Sequence, residues 1–83
     1  MKLLYFAWVR ERIGKSEETI DLPTGIKNIS GLVDFLETLD EGYIQAFQTR
    51  KKVNVAVNQN HADWDQSINK EDEIAFFPPV TGG

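Results

Sequence analysis

Ile29, Leu32, Val33, Leu36 and Leu39 recur at helical spacing, and strand-like apolar runs lie on both sides of them. No other feature of the chain narrows its fold as much. These positions draw a single apolar stripe down one helix, which must be buried against something apolar. The flanking strands, joined as a sheet, can supply that surface. Asn28 stands at the N-cap position before the stripe. Asp34, Glu37 and Thr38 lie away from it, and Phe35 sits near its edge. Gly31 weakens the first turn by about 1 kcal/mol relative to alanine. A second helical turn is expected after Asp40, carrying Tyr43, Ile44 and Phe47.

Residues 2–9 are rich in aromatic and aliphatic side chains and predict a buried strand. Leu3, Tyr5, Ala7 and Val9 would share one face, and Leu4, Phe6 and Trp8 the other. Gly14 marks a turn. A second short strand is expected over Glu17–Leu22, ended by Pro23, so the two strands would form a hairpin. Val53, Val55 and Val57 alternate with Asn54, Ala56 and Asn58, the pattern of a half-buried strand. Gln59-Asn60-His61 reads as a turn or short edge strand, and Trp64 and Ile68 could anchor the following loop to the core. The last strand covers Ile74–Phe77, with Phe76 inward beside Ile74 and Phe77 outward. Pro78-Pro79 stops it. The order is strand, strand, helix, strand, short edge element, strand. The simplest packing is an α+β β-grasp (ubiquitin-like) fold, a mixed sheet with one main helix across one face. The last strand would run parallel to the first at the sheet centre, because the long connection between them permits a crossover.

The chain has 83 residues, enough for one domain, expected over residues 1–77, with a tail over 78–83. A domain this small buries only about 60–65% of the surface its unfolded chain exposes, which leaves no room for a deep cleft. The net charge of −4 argues against nucleic acid and anionic membranes and favours a basic protein partner. Arg50-Lys51-Lys52 reads as a solvated cluster at a strand edge. No cysteine is present, which excludes disulfides and thiolate metal sites. The apolar N-terminal run is too short to span a bilayer and lacks a signal-peptide cleavage site, so a cytoplasmic protein is expected. Asn28-Ile29-Ser30 matches a glycosylation acceptor only by chance.

Catalytic constellations are missing. His61 is the sole histidine, and a lone histidine in a polar turn is ordinarily a surface residue. Asp63 and Asp65 have no further ligand at calcium-loop spacing. Adjacent residues in Glu71-Asp72-Glu73 point in opposite directions. No glycine-rich loop with lysine cradles phosphate. The expectation is no catalytic residue, no metal and no permanently bound cofactor.

The end of the sequence is different: Phe76-Phe77-Pro78-Pro79-Val80-Thr81-Gly82-Gly83. Pro78 and Pro79 fix their φ angles and project the chain off the sheet. Gly82 and Gly83 can thread a channel wide enough for backbone alone. The terminal carboxylate of Gly83 could be activated as an anhydride with AMP and then attacked by a sulfur nucleophile, with no Cβ in the way. A chance Gly-Gly end arises in about one chain in 200 at about 7% glycine per position.

The run Asp72–Gly83 resembles the C-terminal signature of the small subunits of molybdopterin synthase, the MoaD family, within the MoaD/ThiS group of ubiquitin-like sulfur carriers. Phe6-Ala7-Trp8-Val9-Arg10-Glu11 followed by Gly14 is similar to that family's first strand and turn. Ala56-Val57-Asn58-Gln59 resembles its third strand. Essentially the whole chain is covered, and the terminal motif is the specific part. The resemblance implies that a ubiquitin-activating-type adenylyltransferase (MoeB-like) adenylates Gly83 and a sulfur donor protein converts it to a thiocarboxylate. The tail of Pro78, Pro79, Val80, Thr81, Gly82 and Gly83 would then enter the large catalytic subunit, MoaE, in a heterotetramer. There it would deliver sulfur to cyclic pyranopterin monophosphate. The resemblance also implies a partner interface at Phe77, and near His61, where the family often has an aliphatic residue. Phe6 and Trp8, with Leu4, would add an exposed apolar patch if the helix covers the opposite sheet face.

Three other functions stay open on sequence alone. One is a sulfur carrier for thiamine synthesis or tRNA thiolation, against which the Phe-Phe-Pro-Pro-Val-Thr-Gly-Gly run argues. Another is a ubiquitin-like modifier joined to lysines, and the third is a plain interaction domain with an inert tail.

Overall fold

The computed structural model describes residues 1–79; Val80, Thr81, Gly82 and Gly83 lie outside the described residues. The elements run β1 (Lys2–Tyr5), α1 (Ala7–Ile13), β2 (Glu17–Thr19), α2 (Ile29–Leu36), α3 (Glu41–Ala46), a 3-10 turn (Arg50–Lys52), β3 (Asn54–Val57), β4 (Asn60–Ala62) and β5 (Glu73–Phe77). The strands form one sheet in the order β2-β1-β5-β3-β4. β5 pairs in parallel with β1, from Lys2↔Glu73 to Tyr5↔Phe76, and antiparallel with β3. The crossover inferred from the long connection is therefore present, and the arrangement is the expected β-grasp. β4 is the short edge strand expected around His61.

The first strand is shorter than the apolar run suggests. It stops at Tyr5, and Ala7 adopts φ +51, a left-handed conformation that alanine disfavours. That bend redirects the chain into α1, which carries Trp8 and Val9 out of the sheet. Gly14, at φ +91, ends α1 and donates its N–H to the Arg10 carbonyl at 2.8 Å. β1 and β2 pair antiparallel as expected, but α1 joins them rather than a tight turn. β2 also stops at Thr19 rather than Leu22, although the Ile20 N–H still bonds the Met1 carbonyl at 2.9 Å.

On the helical side, Asn28 caps α2 by accepting from the Gly31 N–H at 2.8 Å. Asp40 caps α3 in the same way through Gly42. Ile29, Leu32, Val33 and Leu36 are fully buried, but Leu39 is 53% exposed. The stripe breaks there because α2 ends at Leu36 and the chain turns through Glu37 and Thr38. Gly42 lets α3 approach α1 closely: a Cβ at that position would sit 2.8 Å from the Arg12 carbonyl oxygen.

Phe76 lies at the centre of the core. Its ring packs at 4.9 Å from Phe47, 6.0 Å from Tyr5 and 6.3 Å from Trp64. Such aromatic pairs add about 0.5–1.5 kcal/mol each beyond the area they bury. The hydroxyls of Tyr5 and Tyr43 both donate to Oε2 of Glu18, and Lys15 pairs with its other oxygen, Oε1. Burial works against the Glu18 charge. The hydrogen bonds from Tyr43, Tyr5 and Lys15 outweigh it and hold the carboxyl below its ordinary pKa. Arg50 reaches Ser30, Asp34 and Glu37 and lies 5.7 Å over the Trp64 ring. It therefore staples α2 to the 3-10 turn, whereas Lys51 and Lys52 are exposed as expected.

Candidate functional site

A strand presents alternate side chains to opposite faces, and all three helices contribute buried residues to one side of the sheet. That covered side receives Leu3 and Tyr5 of β1, Val55 of β3, and Ile74 and Phe76 of β5. The other side is open. Pairing residue by residue sets Leu4, Ala75, Ala56 and His61 in one row across β1, β5, β3 and β4. Phe77, paired with Asn54, stands one step further along β5 on the same side. Phe6 follows the Tyr5–Phe76 pair and is 45% exposed. At the opposite end of this face lie Lys2 and Glu73, and Lys2 pairs with Glu17 at 3.4 Å. Along β1 and β5 the open face thus grades from charged to apolar in the direction in which β5 leads out of the sheet, with Glu17 paired beside Leu4 and Asn54 beside Phe77.

Three of the four residues expected at an interface meet here. Phe77 is turned outward, as its periodicity requires, and is half-buried. The His61 ring stands edge-on to it at 5.7 Å. Phe6, the residue that links β1 to α1, follows the Tyr5–Phe76 pair beside Phe77. Trp8 does not join them. It lies on α1, packs partly against the core and is covered by the Arg12 guanidinium at 4.4 Å. The expected Leu4/Phe6/Trp8 patch therefore does not form as a strand face, because the strand ends before Trp8. Leu4 and Phe6 instead belong to a patch completed by Ala75, Ala56, Phe77 and His61. Sequence reasoning missed the two alanines, since only the pairing of β3 with β5 brings them together.

Pro78 is half-buried and Pro79 exposed, so the chain leaves the sheet at the apolar end of the open face. The tail residues Val80, Thr81, Gly82 and Gly83, including the expected reacting group, lie outside the described residues. Among the described residues, no three His, Cys, Asp or Glu side chains are grouped to hold a metal ion. Among the same residues, no helix is long and apolar enough to cross a membrane. What this geometry offers is a partly apolar open surface from which β5 leads out through Pro78 and Pro79.

A sequence profile described as the ThiS family matches residues 3–83. The chain belongs to the ThiS family. This ThiS-family chain is 42% identical to the molybdopterin synthase sulfur carrier subunit of Dictyostelium discoideum, over 99% of this chain and 94% of that protein. It is 36% identical to the subunit of the same name from Escherichia coli, over 100% of this chain and 99% of that one. The crystal structure of small archaeal modifier protein 1 of Haloferax volcanii matches at a TM-score of 0.72 and 26% identity, covering 96% and 97% of the two chains. A chain from the complex of subunits 1 and 2 of molybdopterin-converting factor from Helicobacter pylori matches at 0.66 and 19% identity, covering 99% and 96%. That last likeness bears on the fold alone.

Proposed function

We propose that this ThiS-family chain is the sulfur-carrier subunit of a molybdopterin synthase, with Gly83 as the atom-bearing end. Full-length similarity to curated carriers of that name is the observation that carries the proposal. The open face supports it, because β5 runs from a contact surface straight into Pro78-Pro79 and the Gly-Gly end.

In this proposal the Gly83 carboxylate attacks the α-phosphorus of ATP on an adenylyltransferase of the ubiquitin-activating type, and pyrophosphate leaves. Sulfide-level sulfur delivered by a sulfur donor protein then attacks the acyl carbonyl, and AMP leaves, giving a thiocarboxylate. Residues 1–77 act as the docking domain and 78–83 as the tail that carries sulfur to cyclic pyranopterin monophosphate in the large subunit. The proposed assembly has two small and two large chains. Phe77, His61 and Phe6 dock the base of the tail. This chain contributes no catalytic side chain and holds no lasting cofactor, only the transient acyl-adenylate and thiocarboxylate. It acts in the cytoplasm, away from nucleic acid and membranes.

Deleting Gly83 tests this directly. Sulfur transfer should be abolished, while stability changes by less than about 0.5 kcal/mol. Full transfer by the truncated chain would refute the proposal.

The Haloferax volcanii match favours a second function, a modifier joined to lysines. Lysine-linked adducts of this chain in cells, with normal pterin sulfuration in its absence, would establish it instead.

A further inference from the structure

His61 is the only histidine in a chain that has no cysteine. Histidine is the side chain whose charge ordinarily changes between about pH 5 and 8. An α-amino group also titrates in that range, but here it lies at the start of β1, hydrogen-bonded to the Ile20 carbonyl at 3.1 Å. The imidazole, by contrast, stands at the base of the tail. His61 is on the edge strand β4, opposite Ala56 of β3, and its ring meets Phe77 of β5 edge-on at 5.7 Å. Charged residues occur on each element around it. Asp63 follows two residues on, Glu73 stands two residues before Ala75 on β5, and Lys52 lies in the 3-10 turn ahead of β3. Among the described residues, none of these forms an ion pair with His61.

We propose that assembly with the large subunit is proton-linked through His61: the neutral imidazole docks and the imidazolium is held off. The inference rests on the proposed function, in which His61 and Phe77 dock the base of the tail, and adds how that site is regulated. His61 is exposed in the free chain, so water solvates either form of the ring. A partner seated on Phe77 covers the ring beside it. Losing water penalises the charged form far more than the neutral one, and no carboxylate of this chain is paired with it to offset the loss. A cation–π contact with Phe77 is open to the charged ring before and after docking, so it does not remove the difference. The docked chain therefore holds fewer protons than the free one. Affinity rises with pH as the histidine loses its proton and falls on acidification. Glu18 keeps its charge to below the ordinary glutamate range, so its network with Tyr5 and Tyr43 persists where the complex weakens.

His61→Leu and His61→Gln remove the titrating group, one with an apolar and one with a polar side chain. Binding of the full chain to the large subunit of the same organism is measured by calorimetry at about pH 5.5 and about pH 8, on either side of the histidine range. Melting temperature is recorded at both. Groups of the partner titrate equally for all three chains, so the ratio of parent to variant affinity isolates His61. That ratio should fall about tenfold from the higher pH to the lower. At about pH 6.5, in buffers of different ionisation enthalpy, the parent should release more protons on binding than either variant. A merely structural role for His61 would change affinity equally at both pH values and leave proton release unmoved. If the leucine disturbs β4, the glutamine variant keeps the test decisive. A ratio that stays constant within about twofold, with equal proton release, would overturn the linkage and leave the carrier function intact. A parent chain that binds the large subunit at neither pH would overturn both.

Discussion

On β5, Ile74 and Phe76 are fully buried beneath the helices, while their immediate neighbours Ala75 and Phe77 face the other way and keep part of their surface open. The same split runs through β1, where Leu3 and Tyr5 are buried and Leu4 is not, and through β3, where Val55 is buried and Ala56 is not. One face is large, branched and aromatic. The other is small in its middle, apolar toward the end of β5 and charged at the far end. The difference separates two roles within single strands: the covered face holds the fold, and in the proposed function the open face docks the partner. Substitutions on the two faces should therefore separate stability from assembly.

Phe76→Ala should have the largest effect on stability. It removes the ring that contacts Phe47, Tyr5 and Trp64, and a loss of about 3–5 kcal/mol is expected in chemical denaturation. A loss below about 1 kcal/mol would mean that the covered face is not the core described here.

Glu18→Gln comes next, with an expected cost of about 1–3 kcal/mol at neutral pH, because two tyrosine hydroxyls lose a charged acceptor. The sign of the pH dependence follows from the lowered Glu18 pKa. A depressed carboxyl contributes stability above the unfolded glutamate value of about 4.3, and that contribution is lost as the pH falls through the folded value. The parent should lose stability on acidification through this window, and Glu18→Gln should lose less. Parallel stability profiles for the two chains would break the assignment.

Phe77→Ala should cost the fold least, under about 1 kcal/mol, since its side chain faces outward and is only half-buried. Complex formation should fall much more than the melting temperature does. Equal loss of both would return Phe77 to the covered face and erase the comparison.

The covered face was legible from the sequence because alternation and helical spacing name their own interior residues. Val53 and Val55, Ile74 and Phe76, and Ile29, Leu32, Val33 and Leu36 are all buried as their periods require. The parallel pairing of β5 with β1 followed from the length of the connection. The α1 helix was not legible. Its Trp8 and Val9 continue an apolar run that looks like strand, and the break comes from a left-handed alanine, a residue with no preference for that conformation. Gly14, preceded by Arg10 and Arg12, is a helix C-terminus signal that the apolar run outweighed. At the candidate site, Phe77 and His61 could be named from periodicity and resemblance. Their neighbours could not, because which strand lies beside which, and in what register, is set by the whole packing rather than by any one segment.

The central claim is that Gly83 carries sulfur. The chain, incubated with ATP, its activating enzyme and a sulfur source, should be weighed intact by mass spectrometry. A gain equal to replacing one oxygen with sulfur, lost when Gly83 is deleted, is the result this account predicts. An unchanged mass, with an activating enzyme shown to be competent on another carrier, would contradict it.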